Sequence, residues 1–204
     1  MTTPAPRHVV FGTGAIGLAT LDALRDRGER VRMVNRSGSA AVPDDVEVVG
    51  GDAGDPTFAS AVAEGAQVVY QTLNPPYHLW EEQFPALQAG VLAAAQATGA
   101  RLVSVENVYM YGRPNGRRIT EDRAHDAHTR KGRLRSAMSR DLLAAHEAGR
   151  VEVAIGRASD YFGPRGGAQS NLGDRDGRGR LDAGERVGKE GHRFRAPSDR
   201  RRGP

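Results

Sequence analysis

Near the amino terminus His8-Val9-Val10-Phe11-Gly12-Thr13-Gly14-Ala15-Ile16-Gly17 carries a short apolar strand straight into Gly-x-Gly-x-x-Gly and then into a helix. The three glycines have separate tasks at this spacing. Gly12 permits a tight strand-to-helix turn, Gly14 leaves the backbone bare for an approaching pyrophosphate, and Gly17 lets helix and strand pack closely. The N–H groups of the first helical turn face such an anion. Thr13, Ala15 and Ile16 therefore join the glycines as candidate cofactor contacts. In a chain with 26 glycines the string also arises by chance, so its context decides. An amphipathic helix follows over residues 16–24, Arg27-Gly28 ends it, and a second apolar strand runs over 31–34, which completes a βαβ unit.

After that second strand comes Asn35-Arg36-Ser37-Gly38, where dinucleotide sites choose their cofactor. An acid there accepts from the ribose 2′-hydroxyl, whereas an arginine accommodates a 2′-phosphate. The acid is missing and Arg36 is present, which favours NADP over NAD, with Asn35 and Ser37 as further donors. A third strand over 46–49 runs into Gly50-Gly51-Asp52-Ala53-Gly54-Asp55-Pro56, placing Asp52 and Ala53 toward the adenine end. Pro56 suits the first turn of the next helix, to residue 64.

Strand four spans 67–72 and leads into Thr72-Leu73-Asn74-Pro75-Pro76-Tyr77. Strand order reverses beside the first strand in such a sheet, and ligands lie beyond the carboxyl ends there. Thr72, Leu73 and Asn74 are thus expected along the nicotinamide half, in a loop stiffened by two prolines. Tyr77, His78 and Trp80 either line a substrate mouth or pack. A helix over 80–98 buries Phe84, Leu87, Val91, Leu92 and Ala95 and stops at Gly99. Strand five covers 101–105. A helix over 134–148 packs through Leu134, Met138, Leu142, Leu143 and Ala145, and strand six covers 151–156. The alternation predicts an α/β fold, a doubly wound parallel sheet of Rossmann type in the order 3-2-1-4-5-6.

With Glu106-Asn107-Val108-Tyr109-Met110-Tyr111-Gly112 after strand five and Arg157-Ala158-Ser159-Asp160-Tyr161-Phe162-Gly163-Pro164 after strand six, residues 7–167 resemble the extended short-chain dehydrogenase/reductase superfamily, the NAD(P)-dependent epimerase/dehydratase group. The glycine turn and the Gly51-Asp52 step belong to the same resemblance. It implies a Rossmann domain that transfers hydride between a nicotinamide and a small molecule bearing a hydroxyl or carbonyl. Family members often dimerise, so a homodimer is implied as well.

The departures fall on catalysis. Phe11 stands at the first glycine of the family's Gly-x-x-Gly-x-x-Gly, and Asp160 and Phe162 replace an Asn and a Tyr. The family uses a Ser or Thr after strand five and a Tyr-x-x-x-Lys on the following helix, whose lysine lowers the phenol's pKa so that it exchanges a proton near neutrality. Here Asn107 takes the Ser/Thr place, and no Tyr-x-x-x-Lys exists: Ala127 precedes Lys131 by four, and aligning on Asp141-Leu142-Leu143 moves the expected lysine to Ser136. Tyr109, Tyr111 and Lys131 are the substitute candidates for the acid/base chemistry. Glu121-Asp122-Arg123-Ala124-His125-Asp126-Ala127-His128 matches no defined ligand spacing, so no metal site is expected.

Composition divides the chain. Residues 171–204 hold ten basic, six acidic and seven glycine residues with little apolar content, while 1–170 balance nineteen basic against nineteen acidic residues. The segment 1–170 is the expected dinucleotide-binding domain. Its neutrality argues against a nucleic-acid partner, and the basic tail, unable to offset its ordering entropy by burial, is expected to be disordered. The family pattern stops near Gly167, as in a chain truncated or frameshifted near Gly173. No cysteine is present, which excludes disulfides and cysteine-ligated metals. No apolar run is long enough for a membrane span and no targeting signal is evident, so a cytoplasmic location is expected. Two functions follow: an NAD(P)-dependent oxidoreductase, or, given the missing Tyr-x-x-x-Lys, a non-catalytic NADP-binding sensor or an inactive truncated product.

Overall fold

The computed structural model describes residues 6–159 and 161, so the expected tail, Asp160 and the segment 162–164 lie outside the described residues. The elements alternate as expected: β1 (His8–Phe11), α1 (Ala15–Arg25), β2 (Val31–Asn35), β3 (Glu47–Gly50), α2 (Pro56–Val62), β4 (Val68–Gln71), α3 (Trp80–Thr98), β5 (Arg101–Glu106), α4 (Arg130–Glu147) and β6 (Val153–Arg157). Two 3₁₀ turns, Tyr77–Leu79 and Tyr109–Tyr111, follow β4 and β5. The six strands form one sheet in the order β3-β2-β1-β4-β5-β6, every pair parallel. The expected fold is present.

The reversal at β1 puts that strand in the middle of the sheet, and its sequence shows it: Val9, Val10 and Phe11 are fully buried. A strand covered on both faces needs apolar residues in succession rather than alternation. Val9 and Phe11 pack with Val34, Val69 and Leu102 against Ala59 and Val62 of α2, Val91, Ala94 and Ala95 of α3, and Leu142 and Ala145 of α4. Val10 and Met33 face the other way, against Leu21 and Leu24 of α1. Each large apolar side chain so buried contributes roughly 1.5–3 kcal/mol.

Three helix ends follow local rules. Asp55 caps α2 by accepting from the N–H of Thr57 at 2.9 Å, with Pro56 in the first turn. Gly99, at φ +69°, ends α3 in the left-handed conformation. Helix α4 starts at Arg130, a turn earlier than the apolar pattern indicates, because the Thr129 hydroxyl accepts from the N–H of Gly132 at 3.0 Å. Its buried face also differs from expectation. Leu143 is 37% exposed, while Arg135, Ser136 and Ser139 are buried with Met138, Leu142 and Ala145. At 100° per residue, position 143 turns away from the stripe that 138, 142 and 145 define.

Candidate functional site

The glycine turn divides its three residues between two physical causes. At Gly12, φ is +113° and a Cβ would lie 2.7 Å from Thr72 Oγ1. At Gly17 a Cβ would lie 2.0 Å from the carbonyl oxygen of Gly12, so any side chain would separate α1 from the turn. Gly14 is different, since a Cβ there meets no atom within 4 Å. Protein packing does not require glycine at that position; it opens on solvent at the N-cap of α1, where no side chain caps the helix and no acid sits in the first turn. Uncapped N–H groups beside bare backbone fit a pyrophosphate. Thr13, Ala15 and Ile16 surround that opening in sequence. Thr72 serves as the pin beneath it: its N–H and hydroxyl both reach the carbonyl of Phe11, at 3.0 and 2.9 Å.

At the carboxyl ends of β2 and β3 the loop is organised by Asn35. Its amide donates to Thr13 Oγ1 at 2.9 Å and to the Ser39 carbonyl at 2.8 Å, and its oxygen accepts from the N–H of Gly38 at 2.7 Å. Ser37 Oγ lies 3.3 Å from that oxygen. These contacts tie the loop to the glycine turn and leave Arg36 exposed, with no hydrogen bond or ion pair to the described residues. Gly38 and Gly50 touch back to back, a Cβ on Gly50 coming 2.8 Å from the N of Gly38. Asp52 is exposed and holds the N–H of Gly54 at 2.8 Å with one oxygen. Ala53 is buried under α3, where Gly90 has no side chain because a Cβ would lie 2.0 Å from the Ala53 carbonyl oxygen.

Beyond β4, Gln71 is buried and accepts from the N–H of Leu73 at 2.8 Å, turning the chain toward exposed Asn74. The Trp80 indole is buried and donates to the Pro75 carbonyl at 3.0 Å. Tyr77 stands 56% exposed, its ring 5.0 Å from that of Trp80. Lys131 reaches across from α4: its ammonium donates to the Tyr77 carbonyl and lies 4.4 Å from the centre of the Tyr77 ring. Tyr109, partly exposed, completes the cluster with its ring 6.0 Å from Trp80. Asn107 accepts from the N–H of Tyr109 at 3.1 Å. Gly132 is needed beside this turn, since a Cβ would lie 2.7 Å from the Tyr109 carbonyl oxygen. The structure thus gathers Tyr109 and Lys131 around one aromatic pair, Tyr77 and Trp80.

Tyr111 lies apart from them, fully buried, where its hydroxyl accepts from Arg157 Nη1 at 2.7 Å. It belongs to a charged cluster that sequence patterning does not reveal. Glu106, 1% exposed, accepts from Arg157 Nε at 3.0 Å, and Arg135, also 1% exposed, approaches its second oxygen at 3.8 Å. Arg157 also donates to Ser139 Oγ at 2.6 Å. Burial lowers the Arg135 pKa, against the pull of Glu106, and raises that of Tyr161, whose hydroxyl donates to the Glu106 carbonyl at 2.7 Å. His125 meets the cluster from the loop before α4, its Nδ1 3.1 Å from Ser136 Oγ. One signal was available: an arginine at 135 within the apolar stripe of α4 demands a buried partner. Among the described residues no three His, Asp or Glu side chains gather as a metal site, and no helix is long and apolar enough to cross a membrane.

Comparison with known proteins adds to this geometry. Residues 9–175 match the NAD dependent epimerase/dehydratase family. No curated protein sequence matches the chain. Among solved structures, a UDP-galactose 4-epimerase superposes with a TM-score of 0.67 at 23% identity, over 78% of this chain and 58% of that one. The Bordetella bronchiseptica enzyme WbmH in complex with NAD+ gives 0.66 at 19%, over 78% and 57%. The dTDP-glucose 4,6-dehydratase DesIV from Streptomyces venezuelae, with NAD and TYD bound, gives 0.69 at 17%, over 78% and 57%. At such identities the likeness is one of fold, and the chain spans less than two thirds of the length of these proteins. The family match, by contrast, runs over most of the sequence and coincides with the sheet order and glycine turn found here: the chain belongs to the NAD-dependent epimerase/dehydratase family.

Proposed function

We propose that the chain is an NAD(P)-dependent oxidoreductase of the epimerase/dehydratase kind, acting on a small molecule with a hydroxyl or carbonyl, and that it prefers NADP. The observation that carries this reading is Gly14, a glycine without a packing reason at the uncapped start of α1. In this reading the N–H groups from Gly14 to Gly17 hold the pyrophosphate. Arg36 and Ser37 take the 2′-phosphate on a loop that Asn35 fixes, and the second oxygen of Asp52 accepts from the adenine amine beside Ala53. Thr72, Leu73 and Asn74 flank the nicotinamide half. The bound dinucleotide supplies a hydride acceptor and donor.

Tyr109 is the phenol best placed on the open side, and Lys131 keeps a positive charge within the same aromatic cluster. Asn107 orients the Tyr109 backbone, while Tyr111 holds Arg157 in the interior. A second reading, a non-catalytic NADP sensor, is favoured by one specific feature, the absence of Tyr-x-x-x-Lys. Calorimetric titration with NADP(H) and NAD(H), followed by single-turnover assays of cofactor reduction with UDP-glucose and dTDP-glucose as probes, tests both. Tight NADP(H) binding with reduction supports the enzyme; binding without reduction of any probe favours the sensor; no binding of either dinucleotide overturns both.

A further inference from the structure

His125 is held from several directions at the carboxyl ends of β5 and β6. Ser136 on α4 meets its Nδ1 at 3.1 Å, and the Tyr111 ring stands edge-on at 5.5 Å and 85°. The backbone beside it is pinned as well, with the N–H of Asp126 donating to the Met110 carbonyl at 3.0 Å. Gly112, at φ +65°, lets the chains pass this closely, since a Cβ there would lie 1.9 Å from the Asp126 carbonyl oxygen. Among the described residues Nε2 has no partner, and the residue is only half-buried, so this nitrogen is the one a ligand can reach. A side chain fixed at one ring nitrogen and open at the other is poised to transfer a proton.

Position 136 is also where the family's lysine is expected when the chain is aligned on Asp141-Leu142-Leu143. Resting on the dinucleotide-binding reading, we propose that His125, oriented by Ser136, exchanges a proton with the hydroxyl of the bound small molecule through Nε2, in place of the tyrosine that the chain lacks. In the oxidative direction the substrate O–H bond breaks and its proton goes to Nε2, giving imidazolium. The O–H electron pair becomes the second bond of the new carbonyl, and the carbon's hydrogen leaves with its electron pair to the oxidised nicotinamide. Alcohol is oxidised by two electrons, the dinucleotide is reduced, and the reverse step returns both.

The surroundings keep the imidazole neutral near pH 7. Burial lowers its pKa most, Arg157 from β6 and Arg140 from α4 lower it further, and Glu106 of β5 opposes them. Arg135 lies against the Glu106 carboxylate and the Tyr161 hydroxyl donates to the Glu106 backbone carbonyl, which completes the polar surroundings.

Diethyl pyrocarbonate acylates neutral imidazole, so its rate at each histidine, read by peptide mass spectrometry on the full chain across pH, tests the proposal without a known substrate. His125 is expected to react with a midpoint below the ordinary histidine value of 6.5. NADP+ at ten times its dissociation constant, measured by calorimetry on the same sample, is expected to slow His125 by about tenfold by mass action and to leave the other five histidines unchanged. In Ser136→Ala the His125 midpoint shifts, because the partner fixing Nδ1 is gone. A dinucleotide that binds without shielding His125 overturns the proposal and leaves the dinucleotide reading intact. Failure of NADP+ and NAD+ to bind overturns both. The shielding measurement uses the unaltered protein and decides the question even if Ser136→Ala does not fold.

Discussion

Glu106 and Arg157 are cross-strand partners, the last residues of β5 and β6, and their side chains meet at 3.0 Å inside the protein. Arg135 comes to the same carboxylate from α4 at 3.8 Å, so one acid faces two guanidinium groups with almost no solvent present. The ion cluster therefore joins the last two strands to α4 at the edge where the candidate site lies.

Removing that acid leaves buried Arg135 and partly buried Arg157 without its compensating charge. Glu106→Gln is expected to destabilise the fold by about 3–5 kcal/mol, the range for breaking one side of a buried pair. Urea unfolding measures it; a loss below about 1 kcal/mol, the worth of an exposed pair, would show that Arg135 and Arg157 find other partners.

The glycines of the turn are expected to separate stability from binding. Gly17→Ala drives a methyl against backbone at 2.0 Å and is expected to cost at least about 3 kcal/mol, the upper range for overpacking. Gly14→Val enters open space, so thermal unfolding should stay within about 1 kcal/mol of the parent, as N-cap changes do, while dinucleotide affinity is lost. Melting curves and calorimetry on the two variants check the contrast.

Arg36 is expected to distinguish the cofactors. Arg36→Ala should weaken NADPH by about 1.5–3 kcal/mol, the worth of a hydrogen bond to a charged group, roughly ten- to a hundredfold, and leave NADH unchanged. Equal losses for both cofactors would remove Arg36 from the 2′-phosphate.

The pH dependence of stability follows from His125. Burial and Arg157 lower its folded pKa below the ordinary histidine value of 6.5. Between the two values the unfolded chain binds more protons, so stability falls as pH drops through 6.5 toward the folded pKa and is retained above 6.5. His125→Asn should flatten this part of the profile, as read from urea midpoints at a series of pH values.

The fold was legible because its signals are local. Consecutive apolar residues in β1, the glycine spacing, Pro56 after its capping acid, and Gly99 at a helix end each act within a few residues, and together they permit few topologies. The same holds for the glycine turn, where the packing tasks of Gly12 and Gly17 could be read from spacing and their contacts agree. The cluster around Glu106 could not be read that way. Its members lie at positions 106, 111, 125, 135, 136, 139 and 157, and only parallel pairing of β5 with β6, with α4 laid across them, brings them together. Sequence patterning distinguishes apolar from polar, and α4 breaks that rule by burying an arginine and two serines while exposing Leu143. The sequence by itself determined the strands, their order and the bare glycine at the start of α1. Tertiary structure alone decided which tyrosine faces outward, which arginine is enclosed and which histidine keeps an open nitrogen, because partners far apart in the chain set the charge and burial of each.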